Sequence, residues 1–268
     1  MKSEEIVRII ANRRNFLKGA GMTGIGLAGA AMIGSKFGMN EQKVAAASYS
    51  DGDILNFALN LEYLEAEFYA MATFGAGLVK LGIISKDDET GPTTGGNRVP
   101  DFSDKPEANM ATALRVTEIA HVVLLREALG SAAAKKPAIN LDALGYGFSS
   151  VSSFLKLARQ FEDVGVSAYL GAAPLIESKE YLAAAGAILA TEAQHSGSIR
   201  FACIMNGISS PAVDSLDIPP TSSHFYDVNS EALSIPRTPA QVLNIVYAGG
   251  KCSGGFYPDG MNGVIVCQ

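Results

Sequence analysis

Two segments of this chain, Ile54 to Ala72 and Phe154 to Ala172, repeat each other at Leu55 and Leu155, Ala58 and Ala158, Glu62 and Glu162, Tyr69 and Tyr169, and Ala72 and Ala172. The repeated positions step by 3, 4, 7 and 3 along the chain. That spacing traces one face of an α-helix and excludes the two-residue alternation of a strand. The face is apolar except for one carboxylate near its middle and one phenol two turns later. A second pair is Glu118-Ile-Ala-His121 and Glu192-Ala-Gln-His195, in which a carboxylate and an imidazole leave one side of a helix three residues apart. Two of the chain's three histidines fall in this pattern. The order is Glu helix, Glu-x-x-His helix, Glu helix, Glu-x-x-His helix, an internal duplication of a two-helix unit.

Facing helices of this kind hold two metal ions between them when two more carboxylates arrive from opposite helices. The lengths permit it. Glu162 lies about four helical turns before Glu177, and Glu192 about four turns after Ser178, the predicted N-cap of its helix. At about 1.5 Å per residue both ligands sit roughly 22 Å from the turn. The first pair matches less closely, with Glu62 about five turns before Lys80 and Glu118 about four turns after Asp104, for a helix starting at Asp104-Lys105-Pro106. The predicted helices span about 51–80 (capped by Ser50 or Asp51), 105–130, 152–176 and 179–206, with a polar loop at 84–103 and a short helix near 239–247 capped by Thr238.

Two divalent ions would offset four carboxylates, leaving a near-neutral site with uncharged histidines. Without them the carboxylates would crowd a low-dielectric core and take up protons, so metal is expected to stabilise the fold. Oxygen and imidazole ligands suit iron or manganese better than copper or structural zinc. Glu65 lies on the same stripe one turn after Glu62, and its counterpart is Gly165. It reads either as a carboxylate supporting the ligands or as a replacement ligand. Tyr69 and Tyr169 read first as core aromatics, and second as hydrogen-bond partners of a ligand carboxylate or redox groups. Glu67 and Asp163 fall off the stripe and are expected to be solvated; His224 has no spaced partner and is expected at the surface.

The helix order, with single glutamates on the first and third helices and Glu-x-x-His on the second and fourth, resembles the ferritin-like di-iron and di-manganese carboxylate proteins. The phrase LNLEYLEAEFY at 59–69, with the leader and tail described below, more narrowly resembles exported ferritin-like proteins grouped with desiccation-related proteins. The resemblance covers about residues 50–250. It implies an all-α, ferritin-like four-helix bundle over 48–207 with a long crossover between helices two and three. An irregular extension, 208–268, would pack on the bundle. It further implies Glu62 and Glu162 as terminal carboxylates, Glu118 and Glu192 as bridges, and His121 and His195 binding one iron or manganese ion each.

The first 47 residues read as a targeting segment. Asn12-Arg13-Arg14-Asn15-Phe16-Leu17-Lys18 resembles the twin-arginine export signal, with Asn where Ser or Thr is usual, and Ala45-Ala46-Ala47 is a small-residue cleavage site. The alternative is an uncleaved anchor, against which the Gly/Ala-rich stretch 19–35 argues. Export would place the protein in the periplasm or outside the cell, with no membrane-spanning segment after cleavage. The remaining chain carries 14 basic and 24 acidic side chains, a net charge of −10, which disfavours nucleic acid as a partner. Cys252 and Cys267 either form a disulfide across 14 intervening residues in an oxidising compartment or stay free; Cys203 reads as a small buried hydrophobe.

Two functions follow. One is a di-metal oxidoreductase acting on a small-molecule oxidant (peroxide or oxygen) or on ferrous iron. The other is a non-catalytic, desiccation-associated protective protein with a stabilising metal site. A homo-oligomer is compatible with either. A mineral-storing cage is disfavoured by the 60-residue tail and the lack of an acidic nucleating cluster.

Overall fold

The computed structural model describes residues 49–268, apart from 101, 103 and 104. The twin-arginine segment and its cleavage site therefore lie outside the described residues. Four long helices, α1 (Asp51–Phe74), α2 (Pro106–Leu129), α3 (Val151–Ala172) and α4 (Lys179–Met205), are followed by a short α5 (Pro239–Val246). Two-residue strands β1 (Thr93–Thr94) and β2 (Ile139–Asn140) pair in parallel. No helix among the described residues is long and apolar enough to cross a membrane.

Side-chain contacts fix the helix directions. Tyr63 and Thr73 of α1 meet Arg126 and Arg115 of α2, so this pair is antiparallel. Cys203 reaches the Leu155 carbonyl, and Ser196 reaches Asp163, so α3 and α4 are antiparallel too. Tyr69 contacts Glu162 while Tyr169 contacts Glu62, which sets α1 antiparallel to α3. Hence α2 and α3 run the same way, and residues 130–150 must return the length of the bundle. This crossover is zipped to the α1–α2 loop by β1–β2 and by the buried Lys136. The Lys136 ammonium donates to Gly91 O, Thr93 Oγ1 and Pro137 O, each at 3.1 Å.

The helix ends obey local chemistry. Ser150, Ser178 and Thr238 accept hydrogen bonds from Ser153, Tyr181 and Gln241 amides as N-caps. α1 stops at Phe74, well short of the predicted end at 80, because Gly75 turns left-handed (φ 67°) and its amide closes on Met71 O. With that correction the first pair of helices matches in height. Glu62 stands as far before Phe74 as Glu118 stands after Pro106, about three turns in each case. Asp51 does not act through its side chain as a cap of α1. Its carboxylate accepts the Glu177 and Ser178 amides, both at 2.8 Å, and ties α1 to the α3–α4 turn.

α1 and α3 form the interior, with most of their residues buried; α2 and α4 bury only eight residues each. The C-terminal extension covers much of what an outer face of α1 and α3 would expose. Tyr257 donates to Asn60 O, Asn262 pairs with Asn60, and Arg237 donates to Ser167. Gly171 permits the last contact, since a Cβ there would lie 1.9 Å from Arg237 O. Cys252 and Cys267 form a disulfide, and Cys203 is buried and free. Closing a loop of that length is worth about 3 kcal/mol.

The α1–α2 loop and crossover over Glu67, and α4 with the extension over Asp163, overturn the expectation that these two are solvated; they are 1% and 2% exposed. A single apolar stripe predicts one wet face only when a helix has one. Here Glu67 accepts the Leu78 amide and lies 3.9 Å from Lys136. Asp163 receives Arg200 and Ser196, each at 2.6 Å, beside the Arg159–Asp217 pair at 2.6 Å.

Candidate metal centre

Glu62, Glu118, Glu162 and Glu192 are fully buried, and His121 and His195 nearly so. One helical turn of each long helix delivers them to a common interior point. Their ligand atoms form two overlapping groups, Glu62–Glu118–His121–Glu192 and Glu118–Glu162–Glu192–His195, each within 4.8 Å. Glu118 and Glu192 belong to both. Glu118 places Oε2 3.2 Å from His121 Nδ1 and Oε1 2.8 Å from His195 Nδ1. Glu62 approaches only His121 (3.2 Å), and Glu162 only His195 (3.3 Å).

Several of these close approaches are not hydrogen bonds. Glu118 Oε1, Glu162 Oε2, both Glu192 oxygens and His195 Nδ1 are buried without a hydrogen-bond partner. Orphaned buried polar atoms cost roughly 1–3 kcal/mol each. Atoms packed this tightly yet misaligned for one another are arranged around points between them, so the donor set fits hard or borderline cations. A third acidic group, Asp163, Asp217 and Asp227, is compensated by Arg159 and Arg200 and reads as an ion-pair network.

The electrostatics of the metal-free cluster follow from burial. Desolvation lifts Glu62 to about 7, against the pull of His121. Burial, then Glu118, holds Glu192 well above the carboxylate range, and Glu162 is raised for the same first reason. Glu118 moves the other way: burial opposes its ionisation, but the two imidazoles outweigh it and lower its pKa. Burial also disfavours charge on His195, yet Glu118 and Glu162 lift it to about 11. Without cations the site therefore holds protons on its imidazoles and on some carboxylates.

Tyr69 donates to Glu162 and Tyr169 to Glu62. Both rings are buried, as expected of core aromatics, but the reading placed second describes their hydroxyls. Glu65 is buried beside the cluster and outside both ligand groups; burial, then Glu192, raises its pKa well above normal. His224 is exposed in the extension. One residue escapes the sequence reading. Thr117 Oγ1 lies 2.9 Å from His195 Nε2 and 2.8 Å from Leu114 O. A hydroxyl that spends its single proton on Leu114 O can only accept from His195, which places the proton of a neutral ring on Nε2 and leaves the Nδ1 lone pair facing the cluster, where it could bind a cation. Threonine precedes the glutamate of both Glu-x-x-His pairs (Thr117, Thr191), but only Thr117 reaches a histidine, so the repeat gives no signal for its role.

Residues 50–204 match the profile of a family described as ferritin-like domain. The chain is 23% identical to a ferritin-like catalase, Nec2, of Nesocodon mauritianus, over 81% of this chain and 85% of that protein. It is 29% identical to the desiccation-related protein PCC13-62 of Craterostigma plantagineum, over 56% of this chain and 52% of that one.

Proposed function

The chain belongs to the ferritin-like domain family, and from that premise we propose that it is an exported protein holding a carboxylate-bridged pair of iron or manganese ions for redox handling of peroxide, oxygen or ferrous iron in stress. The observation that carries this reading is the sharing of Glu118 and Glu192 between two ligand groups in one buried cluster. Glu62 and His121 would complete one position, Glu162 and His195 the other, with Glu118 and Glu192 bridging. When bound, such a pair supplies redox chemistry and open coordination positions for a small oxidant.

The chain's own residues set the conditions. Tyr69 and Tyr169 orient the terminal carboxylates through their hydroxyls, and Thr117 holds the His195 tautomer. Burial, then the neighbouring Glu192, raises the Glu65 carboxyl well above the usual carboxylate range in the metal-free site. The aromatic cluster of Phe68, Phe154 and Phe161 beside Tyr69 excludes water from the adjoining core. The relative named as a catalase supports peroxide as the oxidant.

Elemental analysis of protein from its native compartment, with peroxide turnover measured beside Glu118→Ala, tests the proposal. Two iron or manganese ions per chain and turnover lost in the variant are expected; a chain isolated without metal overturns it. The relative named desiccation-related favours a second reading, in which the filled site serves stability alone. Metal-loaded protein without turnover, yet with a strongly metal-dependent melting temperature, would select it.

A further inference from the structure

A cavity of about 300 Å³ opens on the bundle, with α1 and α3 as the bundle helices in its wall and the end of α5 closing it from the extension. Glu65 and Gly165 form part of this wall, a position at which the duplication fails. Gly165 sits inside a buried helix, where glycine costs about 1 kcal/mol relative to alanine. A Cβ there would lie 2.8 Å from Glu192 Oε2 and 3.2 Å from Glu65 Oε1. The two carboxyl groups thus share the space that a side chain at 165 would fill. The buried end of the cavity lies one carboxyl group away from the ligand cluster.

The outer walls come from segments beyond the four helices. The crossover contributes Leu144 and Tyr146, and the extension contributes Pro211, Val213, Val246 and Phe256. Volume and lining define the occupant. About 300 Å³ is at the lower end of the range that holds organic ligands and far exceeds what peroxide or dioxygen needs. The lining contains no Lys, Arg or His, so an anion finds no counter-charge, and the mostly apolar walls would desolvate a cation. A neutral molecule meets neither penalty.

We propose that this cavity binds a neutral, largely apolar organic molecule of about one aromatic ring, with its inner edge at Glu65 beside the metal centre. Nearness to metal rests on the function proposed above; binding itself does not. The crossover and extension, which build the walls, then determine which molecule fits.

The test is a titration of para-fluorophenol into metal-free and manganese-loaded full-length protein, followed by fluorine NMR. Saturable line broadening is expected in both forms, and much more in the manganese form because the ion is paramagnetic. Ala212→Trp and Leu144→Trp, at exposed positions on two different walls, should each weaken binding about tenfold or more without changing metal content or melting temperature. Wild-type protein that shows no saturable binding, or binding indifferent to both variants, overturns the proposal. Binding that survives in protein found by elemental analysis to take up no manganese upholds the cavity and fails the metal reading. No binding in fully loaded protein does the reverse.

Discussion

Tyr69 on α1 donates its hydroxyl proton to the Glu162 carboxylate on α3. The duplication returns the bond, Tyr169 on α3 donating to Glu62 on α1. Glu62 and Glu162 are therefore each oriented by the other half of the repeat, and the two halves cannot drift apart without losing both bonds.

Tyr69→Phe should leave one Glu162 oxygen without its donor, at a cost of about 1–3 kcal/mol of metal-free stability. Affinity for the ion beside His195 should fall about 10–100-fold, as for other residues that orient metal ligands. Tyr169→Phe should do the same beside His121. Calorimetric titration with Mn(II) checks this, and equal loss at both positions in each variant would contradict the crossed arrangement.

Thr117→Val keeps the shape but removes the acceptor for His195 Nε2–H. Affinity at one of two positions should drop by about tenfold or more. Thr191→Val is the control, because the Thr191 hydroxyl donates to Ala187 O and supports no histidine. The same titration separates the two variants.

Metal-free stability should fall as pH rises from about 5 to about 8. Glu62 has a folded pKa of about 7 against 4.5 unfolded, so the native state binds more protons across that window, and its contribution is present below it and lost above. Glu162, Glu192 and Glu65 shift in the same direction. Glu62 alone is worth on the order of 3 kcal/mol. Bound cations replace those protons, so the gain in melting temperature on adding Mn(II) should grow with pH. Thermal melts with and without chelator measure both slopes.

Gly165→Ala raises helix propensity yet should destabilise the metal-loaded protein, since the new methyl meets Glu192 Oε2 at 2.8 Å. Loss of at least one ion per chain, read by elemental analysis, is expected. Unchanged metal content would show that Glu192 can move aside without cost.

The four helices and the six converging side chains are legible because the repeat writes them twice at helical spacing, and the crossover because a linker of about 20 residues separates the two helix pairs. The end of α1 is not, because Gly75 looks like any other glycine until its positive φ is seen. Glu67 and Asp163 look solvated in the sequence because their partners are distant along the chain. Lys136, the partner of Glu67, comes from the crossover, and Arg200, the partner of Asp163, from α4, and no periodicity announces either. Thr117 stays hidden because its role depends on a hydroxyl pointing across to another helix.

The heavy burial of α1 and α3 against the light burial of α2 and α4 divides the centre into a firm inner cradle and a shallower outer clasp that carries the imidazoles. Breathing should begin in the clasp, because opening free energy follows buried contact. Ions would then enter and leave on the histidine side while the glutamates of the cradle keep their places.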